Sequence, residues 1–326
     1  MTADGASGIH PCFIRVNLWR MNLTKIEAPN FDLAITLDSG QVFHWDQRDA
    51  GYRGIINEQP VYVEQRGDSL LVTRGLGVAV RHYFGLDHPL GEICAAFPDD
   101  PAMCAARDFC RGLRIIRQPQ WDCLASFITS SMKQVAHIRQ MSRALRERFG
   151  KRHLLDGAEL FSFPSPERLA VCTERDLRAC ALGYRAQNLL ATAKRVASGE
   201  ADLRAWRNMP DAELRARLCE LPGVGAKVAN CVMLFSYERL RAFPIDVWIE
   251  RVLREKYFPR ARKLTSERLR IFCDQYFGEH GGYAQQYLFH HARKTTPRRR
   301  LPAKTSARRK LSGKAARDTM QRALHA

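Results

Sequence analysis

One short segment holds residue types whose spacing points to chemistry. Leu221–Ala229 reads Leu-Pro-Gly-Val-Gly-Ala-Lys-Val-Ala, with an apolar-patterned helix predicted on each side. The proline and Gly223 end the first helix, and the second helix begins at about Gly225. The free N–H groups and positive dipole end of that helix form a phosphate site that needs no base sequence. The pattern predicts a helix-hairpin-helix, although a Gly-x-Gly turn alone could be only a tight connection.

Lys227 and Asp246 are the candidate reactive groups. An amine attacks only in its unprotonated form, and partial burial of Lys227 beside a helix N-terminus favours that form. The simpler alternative is an exposed helix lysine. Asp246 lies nineteen residues later, in Phe243-Pro-Ile-Asp-Val247. It precedes a predicted helix, so its simplest role is an N-cap, and a fixed carboxylate there could also stabilise a developing positive charge.

The charge of the chain favours a polyanionic partner. The 326 residues include 52 Lys and Arg against 34 Asp and Glu, a formal net charge of +18. Arg293–Ala326 carries twelve Lys and Arg and one acidic residue, and the remainder of the chain is basic as well. A charge balance that serves only solubility is the alternative for the folded part. Together with the hairpin, the charge predicts binding to the DNA backbone.

Composition excludes several classes of protein. No apolar run approaches the roughly 18 residues that span a bilayer, so an integral membrane protein is excluded at this stage. The first 20 residues lack the apolar stretch of a secretory signal. The ten cysteines form no CxxC pair and no cluster with zinc-ligand spacing. We therefore expect mostly buried free thiols, no metal and a cytoplasmic protein, associated with the nucleoid if bacterial.

Two patterns divide the chain. From about Phe31 to Gly75, β-branched and aromatic runs separated by turn residues predict a small antiparallel sheet. The predicted strands are Val42–Trp45, Tyr52–Asn57, Val61–Glu64 and Ser69–Thr73. After Gly77 the apolar spacing changes to three and four residues, which is typical of helices. The fold class predicted is α+β, mostly helical.

Helix signals follow in series. An apolar face recurs from Val135 to Phe149, Ser165-Pro166 suits a helix start, and Thr173 with Asp176 suits a capping box. Further predicted helices are Glu213–Leu221, Lys227–Tyr237, Val247–Tyr257, Ser266–Phe277 and Tyr283–Arg293. The expected domains are a disordered extension over 1–20, a β-sheet domain with flanking helices over 21–113, a helical domain over 114–292 and a basic disordered tail over 293–326.

The hairpin and Asp246 together resemble the helix-hairpin-helix glycosylase superfamily of base-excision DNA repair. Within it, four motifs resemble a bacterial-like variant of the 8-oxoguanine DNA glycosylase/lyase family. These motifs are Ser39–Trp45, Leu182–Arg185, Leu221–Ala229 and Tyr283–Phe289. The similarity runs from about residue 22 to 293, with the motifs in the family's order. It implies a bifunctional enzyme without cofactor that excises 8-oxoguanine from duplex DNA and then nicks the strand.

The resemblance also implies a role for each matching residue. Lys227 would attack C1′ of a flipped nucleoside and form an imine, which makes β-elimination possible. Asp246 would stabilise the charge that develops on the sugar. The Gly40 carbonyl would accept the N7 proton that 8-oxoguanine has and guanine lacks. Gln285 would read the Watson–Crick edge of the base.

The remaining roles concern the extruded ring and the gap it leaves. Phe289 and Cys231 would sandwich the ring, although without the resemblance both would be interpreted as ordinary core. Tyr184 would be the wedge beside the gap, and Arg185 would contact the opposite cytosine. With the hairpin glycines, Met132 and His137, these two complete the predicted DNA-binding set.

Some positions depart from the family pattern. Met132 follows Ser130-Ser131 where eukaryotic members have asparagine, and His137 replaces a second cytosine-reading arginine. An apolar methionine can fill the gap but cannot read a base edge, so a relaxed opposite-base preference is expected. Trp248 and Ala292 stand where a phosphate-contacting histidine and its aspartate occur in the family. Cys273 is the only cysteine after Asp246, which excludes an iron–sulfur cluster there.

Two other functions remain open at this stage. An alkylated-base glycosylase could share the fold, but such enzymes generally lack the hairpin lysine. A noncatalytic DNA-binding protein would need the hairpin without Lys227 and Asp246. For either, the expected partner is double-stranded DNA, and we expect a monomer with no membrane association. The basic tail would add salt-sensitive affinity for phosphates.

Overall fold

The structure, a computed structural model, describes residues 22–131 and 133–296. The predicted N-terminal extension, Met132 and nearly all of the predicted basic tail lie outside these residues. The described residues up to Lys294 form one compact unit. The predicted division into domains at residues 113 and 114 stays a prediction.

The predicted small antiparallel sheet is confirmed. Its five strands are β1 (Leu23–Glu27), β2 (Asp46–Arg48), β3 (Gly51–Ile56), β4 (Gln59–Arg66) and β5 (Ser69–Thr73). All neighbours are antiparallel, in the order β1-β5-β4-β3-β2. A separate hairpin pairs β6 (Arg152–Leu155) with β7 (Ala158–Phe161). The strands β1 and β2 and this hairpin were not predicted, because all of them are short and only partly buried.

The predicted strand at Val42–Trp45 is wrong. Val42 packs in the core beneath the sheet, whereas Phe43 packs in the separate helical core. A segment whose successive side chains enter two different cores crosses between them instead of pairing along one sheet. Its β-branched and aromatic residues therefore reflect burial and not strand pairing.

Helices form the larger part of the described chain. They are α1 (Leu33–Asp38), α2 (Gly77–Tyr83), α3 (Leu90–Ala95), α4 (Pro101–Phe109), α5 (Gln120–Ser130), α6 (Val135–Phe149), α7 (Pro166–Ala170), α8 (Glu174–Arg178), α9 (Arg185–Ala197), α10 (Asp211–Cys219), α11 (Ala226–Ser236), α12 (Val247–Val252), α13 (Ser266–Phe277) and α14 (Gly281–Thr295). A π-helical turn, Leu253–Tyr257, extends α12. The last helix therefore runs to Thr295, beyond the predicted start of the tail.

The predicted caps are present. Ser165 accepts from the Arg168 amide with Pro166 in the first turn, and Thr173 and Asp176 form a reciprocal capping box. Two apolar cores stabilise the chain, one between the sheet and the first two helices and one among the remaining helices. Phe127 and Cys231 belong to the helical core, and the helices that carry them, α5 and α11, are largely buried.

Candidate active site

The hairpin between α10 and α11 has the predicted geometry. Gly223 has φ of +80°, and a Cβ there would meet the Asn188 side chain at 2.8 Å, so only glycine fits. Buried Leu221 and Val224 anchor the turn from beneath. Gly225 is exposed and caps α11 with no side-chain hydrogen bond, which leaves the first amides of that helix open to an anion.

Lys227 lies in the first turn of α11 and is half-buried. Its Nζ lies 4.9 Å from the centre of the Phe127 ring. Among the described residues no carboxylate forms an ion pair with this amine. The nitrogen is therefore held against an aromatic wall, and the Cys231 side chain is its hydrogen-bond partner.

Asp246 occupies the predicted capping position of α12. Its Oδ1 accepts from the amides of Trp248 (3.0 Å) and Ile249 (2.9 Å). Burial raises the pKa of this carboxyl, while the capping amides and the charge of Lys227 oppose the rise. Both of these capping bonds go to Oδ1 and not to Oδ2. One oxygen thus fixes the side chain and the other can face a developing cation.

The six predicted catalytic and base-recognition residues surround one cavity. It is lined by Gly40, Phe127, Lys227, Cys231, Phe235, Pro244, Asp246, Gln285, Gln286 and Phe289. Its volume of about 40 Å³ is close to the roughly 30 Å³ that one water molecule occupies in the liquid. A purine therefore fits only after a wall residue moves. Half-buried Phe289 also lines a larger groove of about 910 Å³ outside, so its ring lies between the cavity and the groove.

Two acceptors in this cavity lack partners. The Gln285 side chain is buried, and its Oε1 has no hydrogen-bond partner among the described residues. The Gly40 carbonyl likewise accepts no hydrogen bond from them. A buried acceptor left unpaired, as Gln285 Oε1 is, costs free energy, and a bound molecule that donates to it recovers that cost. The cavity is thus suited to a planar ligand with N–H groups on two edges.

Gly40 itself is constrained to glycine. Its φ is +87°, and a Cβ would stand 3.2 Å from Phe289 Cε1. We expect Gly40→Ala to lower the rate of base excision by at least about tenfold, because the methyl group strains the backbone and displaces the aromatic wall. Single-turnover excision assays measure this.

The matched control for that change is Gly67→Ala. Gly67 has φ of +58°, and a Cβ there would meet nothing within 4 Å. Gly67→Ala therefore also places an alanine at a positive φ, but it does so away from the cavity, and excision should stay near the wild-type rate. Equal losses in both variants would show that Gly40 matters only for stability.

Cys231 and Phe289 contribute the apolar surfaces. Burial raises the pKa of Cys231 to about 11, although the charge of Lys227 opposes this. The sulfur therefore stays an uncharged thiol at neutral pH and can stack against a ring. Phe127, Phe235, Pro244 and Gln286 were not predicted as lining residues. The three apolar ones resemble ordinary core in sequence, and only the position of Gln286 beside Gln285 gave a signal.

The predicted DNA-binding residues that the structure describes lie outside this cavity. Tyr184 is 55% exposed and His137 is exposed on α6, whereas Arg185 is only 5% exposed. The Arg185 guanidinium lies 4.4 Å from the centre of the Tyr184 ring and donates from Nε to the Ser131 carbonyl at 2.9 Å. In this structure it supports the segment that precedes Met132 and does not face the groove.

Trp248 lines the groove beside Asp246 together with both hairpin glycines. Across the described ranges no group of three His, Cys, Asp or Glu side chains could hold a metal ion. No helix in the described part of the chain is long and apolar enough to cross a bilayer.

Two family models match the chain in consecutive segments. The N-terminal domain of 8-oxoguanine DNA glycosylase matches residues 23–124. The HhH-GPD superfamily base excision DNA repair protein matches residues 125–274. The two segments meet in the middle of α5, and both models contribute residues to the cavity.

Curated and solved relatives agree with the models. A probable N-glycosylase/DNA lyase of Methanothermobacter thermautotrophicus is 28% identical, covering 83% of this chain and 96% of that protein. An N-glycosylase/DNA lyase of Arabidopsis thaliana is 29% identical, covering 81% and 78%. The crystal structure of the Clostridium acetobutylicum 8-oxoguanine glycosylase/lyase, bound to double-stranded DNA with cytosine opposite 8-oxoguanine, is 31% identical with a TM-score of 0.78. It covers 83% of this chain and 97% of that one.

Proposed function

The chain belongs to the 8-oxoguanine DNA glycosylase/lyase family, and from this membership we propose Lys227 and Asp246 as its catalytic pair. The enzyme is a bifunctional DNA glycosylase and lyase of base-excision repair, with duplex DNA containing 8-oxoguanine as its substrate. One observation carries the assignment of residues. Groups as distant in sequence as Gly40, Lys227 and Gln285 line the same cavity.

The reaction begins with the neutral amine of Lys227. Its lone pair attacks C1′ as the bond from C1′ to the base breaks, and the base leaves with the bonding electrons and takes up a proton. Loss of the amine proton and opening of the sugar ring give an imine between Nζ and C1′. The imine makes the C2′ proton acidic, so its removal expels the 3′ phosphate and cuts the strand.

Asp246 contributes to the first step. Positive charge develops on the sugar as the bond to the base breaks, and a fixed carboxylate nearby stabilises it. Because Oδ1 is held by two amides at the start of α12, the side chain does not need to reorganise when that charge appears. The capping role and the catalytic role are therefore compatible.

Base recognition uses the two unpaired acceptors. The Gly40 carbonyl would accept the N7 proton of 8-oxoguanine, and Gln285 would accept from its Watson–Crick edge. Guanine lacks the N7 proton and would leave the Gly40 carbonyl unpaired in a dry site, a penalty of about 1–3 kcal/mol. Phe289 and Cys231 would hold the ring between them.

The remaining contacts are to the duplex. The hairpin glycines Gly223 and Gly225 would offer backbone amides to a phosphate, and exposed Tyr184 would wedge into the gap. We further propose that the protein binds DNA as a monomer, in the cytoplasm or on the nucleoid. The predicted basic tail would add nonspecific affinity that weakens with salt.

The opposite-base preference is expected to be weak. Met132 cannot read a base edge, and the Arg185 guanidinium is engaged with the Ser131 carbonyl. Each lost base contact removes about 1–3 kcal/mol of discrimination. Excision rates from four duplexes, with 8-oxoguanine opposite each base, should therefore differ by no more than about tenfold.

The double variant Met132→Asn with His137→Arg should increase the preference for cytosine. A wild-type preference for cytosine above about a hundredfold would contradict this account.

The proposed activity is tested with three duplexes of one sequence. They carry 8-oxoguanine, guanine or an alkylated purine at the same position, and base release and strand cleavage are followed under single-turnover conditions. We expect release and cleavage with 8-oxoguanine alone. Release of the alkylated purine without 8-oxoguanine would instead indicate the alkylated-base glycosylase, and no release from any duplex would indicate a DNA-binding protein.

A further inference from the structure

The backbone carbonyls of Ser39, Gly40 and Gln41, of which Gly40 lines the cavity, differ in their hydrogen bonding. The Ser39 carbonyl accepts from Gln286 Nε2 at 2.8 Å, and the Gln41 carbonyl accepts from Gln118 Nε2 at 3.0 Å. The Gly40 carbonyl between them accepts no hydrogen bond from a described residue. Two glutamine side chains from distant parts of the chain thus occupy the outer acceptors and leave the middle one free.

The segment has little freedom around these bonds. Ser39 and Gln41 are fully buried. The side-chain Nε2 of Gln41 donates to Ser39 Oγ (2.9 Å) and to the Arg114 carbonyl (2.8 Å). Gln41 Oε1 accepts from the Ile116 amide at 2.8 Å. The side-chain polar groups of Ser39 and Gln41 are therefore all hydrogen-bonded within the protein.

These contacts set the direction of the free carbonyl. A peptide group is planar. Holding the Ser39 carbonyl therefore holds the peptide plane between Ser39 and Gly40, and holding the Gln41 carbonyl holds the peptide plane that follows Gln41. The φ and ψ angles of Gly40 and Gln41 must together join the two fixed planes, and this restricts the plane of the Gly40 carbonyl between them. Gly40 adopts φ of +87°, which no other residue type favours.

Gln286 connects this segment to base recognition. It follows Gln285 on α14, is 2% exposed, and lies one turn before Phe289. The same helix thus presents the predicted reader of the Watson–Crick edge, the aromatic wall and the donor that holds the Ser39 carbonyl. A glutamine with only a structural role would also be hydrogen-bonded. Its partner, however, would not need to be the Ser39 carbonyl, which is next to the free carbonyl of Gly40.

We propose that Gln286 is a positioning residue which, with Gln118, aims the Gly40 carbonyl at the N7 proton of 8-oxoguanine. The proposal rests on the proposed function, specifically on Gly40 as the acceptor. Gln286 would thus affect recognition of the base, whereas Lys227 carries out the covalent step. Loss of the Gln286 donor should therefore impair discrimination of 8-oxoguanine from guanine and leave cleavage at an abasic site intact.

The test uses Gln286→Met, which keeps a similar volume and removes the donor. We expect the single-turnover excision rate for 8-oxoguanine to fall about tenfold, while cleavage of a preformed abasic duplex stays within about twofold of wild type. In a Lys227→Gln background, the ratio of the Kd for the guanine duplex to the Kd for the 8-oxoguanine duplex should fall by a similar factor. Gln118→Met should shift both quantities in the same direction.

Tyr237→Phe is the matched control. The buried Tyr237 hydroxyl donates to the Leu203 carbonyl at 2.7 Å, away from the cavity lining. Its removal costs one buried hydrogen bond of the same kind, so thermal unfolding should shift comparably while the Kd ratio stays at the wild-type value.

Three results would overturn the inference. Parallel losses of excision and abasic-site cleavage in Gln286→Met would mean a merely structural role. An unchanged Kd ratio in both glutamine variants would mean that the Gly40 carbonyl needs no such support. Wild-type protein that cuts abasic DNA but leaves 8-oxoguanine in place would contradict the proposed function itself, and this is seen before any variant is measured.

Discussion

Replacement of Lys227 by Gln is expected to lower the rate constant for base excision by at least about 10³-fold, the largest effect of any single change here. Gln keeps a similar length and polarity but has no basic nitrogen that can attack C1′. Lys227 is the only lysine among the described residues that line the cavity. Single-turnover excision from an 8-oxoguanine duplex measures the loss.

Two further variants separate chemistry from charge. Lys227→Arg retains a cation at the same place but cannot form the imine, so it should be as inactive as the Gln variant. Lys194→Gln removes an exposed lysine from α9 and should leave excision unchanged. Substantial excision by Lys227→Arg would mean that the residue acts as a positive charge and that water displaces the base.

Replacement of Asp246 by Asn is expected to lower base excision by about 10²-fold. The amide oxygen of Asn can still accept from the Trp248 and Ile249 amides, so α12 should keep its cap. What is lost is the negative charge that faces the sugar. Cleavage of a preformed abasic duplex should fall much less, because no base has to leave in that reaction.

The role of the Asp246 carboxylate can also be tested by the pH dependence of the excision rate. Burial raises the pKa of Asp246, so its carboxylate becomes protonated at a higher pH than an ordinary aspartate. The excision rate of the wild-type enzyme should therefore fall as the pH drops through this raised pKa, since only the ionised form stabilises the cation. Asp246→Asn should lack this acid limb.

Asp100→Asn is the matched control for Asp246. Asp100 caps α4 by accepting from the Ala102 and Met103 amides, both at 2.9 Å. Its replacement changes a cap of the same geometry outside the cavity, and excision should remain near wild type. If Asp246→Asn and Asp100→Asn were equally active, the carboxylate of Asp246 would have only its capping role.

Much of the helical part could be predicted from local sequence. The predicted helix Ser266–Phe277 matches α13 residue for residue, and the capping box at Thr173 and Asp176 is present. Lys227 and Asp246 were found because a Gly-rich hairpin and a helix cap are short motifs with their own backbone requirements. Such features depend on neighbours a few residues away, which a sequence shows directly.

What could not be predicted depends on distant contacts. The Gln286 bond to the Ser39 carbonyl joins residues 247 positions apart. The burial of Arg185 beneath Ser131 likewise follows from packing between helices, since an arginine after an exposed tyrosine is predicted to be exposed as well. Val42–Trp45 looked like a strand because burial in two cores selects the same residue types as a sheet does.

The central claim is that Lys227 forms a covalent imine with the sugar. Borohydride reduces such an imine to a stable amine, so incubation with an 8-oxoguanine duplex and borohydride should give a protein–DNA adduct. Peptide mapping of the adduct by mass spectrometry should place the DNA on Lys227, and Lys227→Gln should give none. An adduct on another residue, or base release by the wild-type protein without any adduct, would contradict the account.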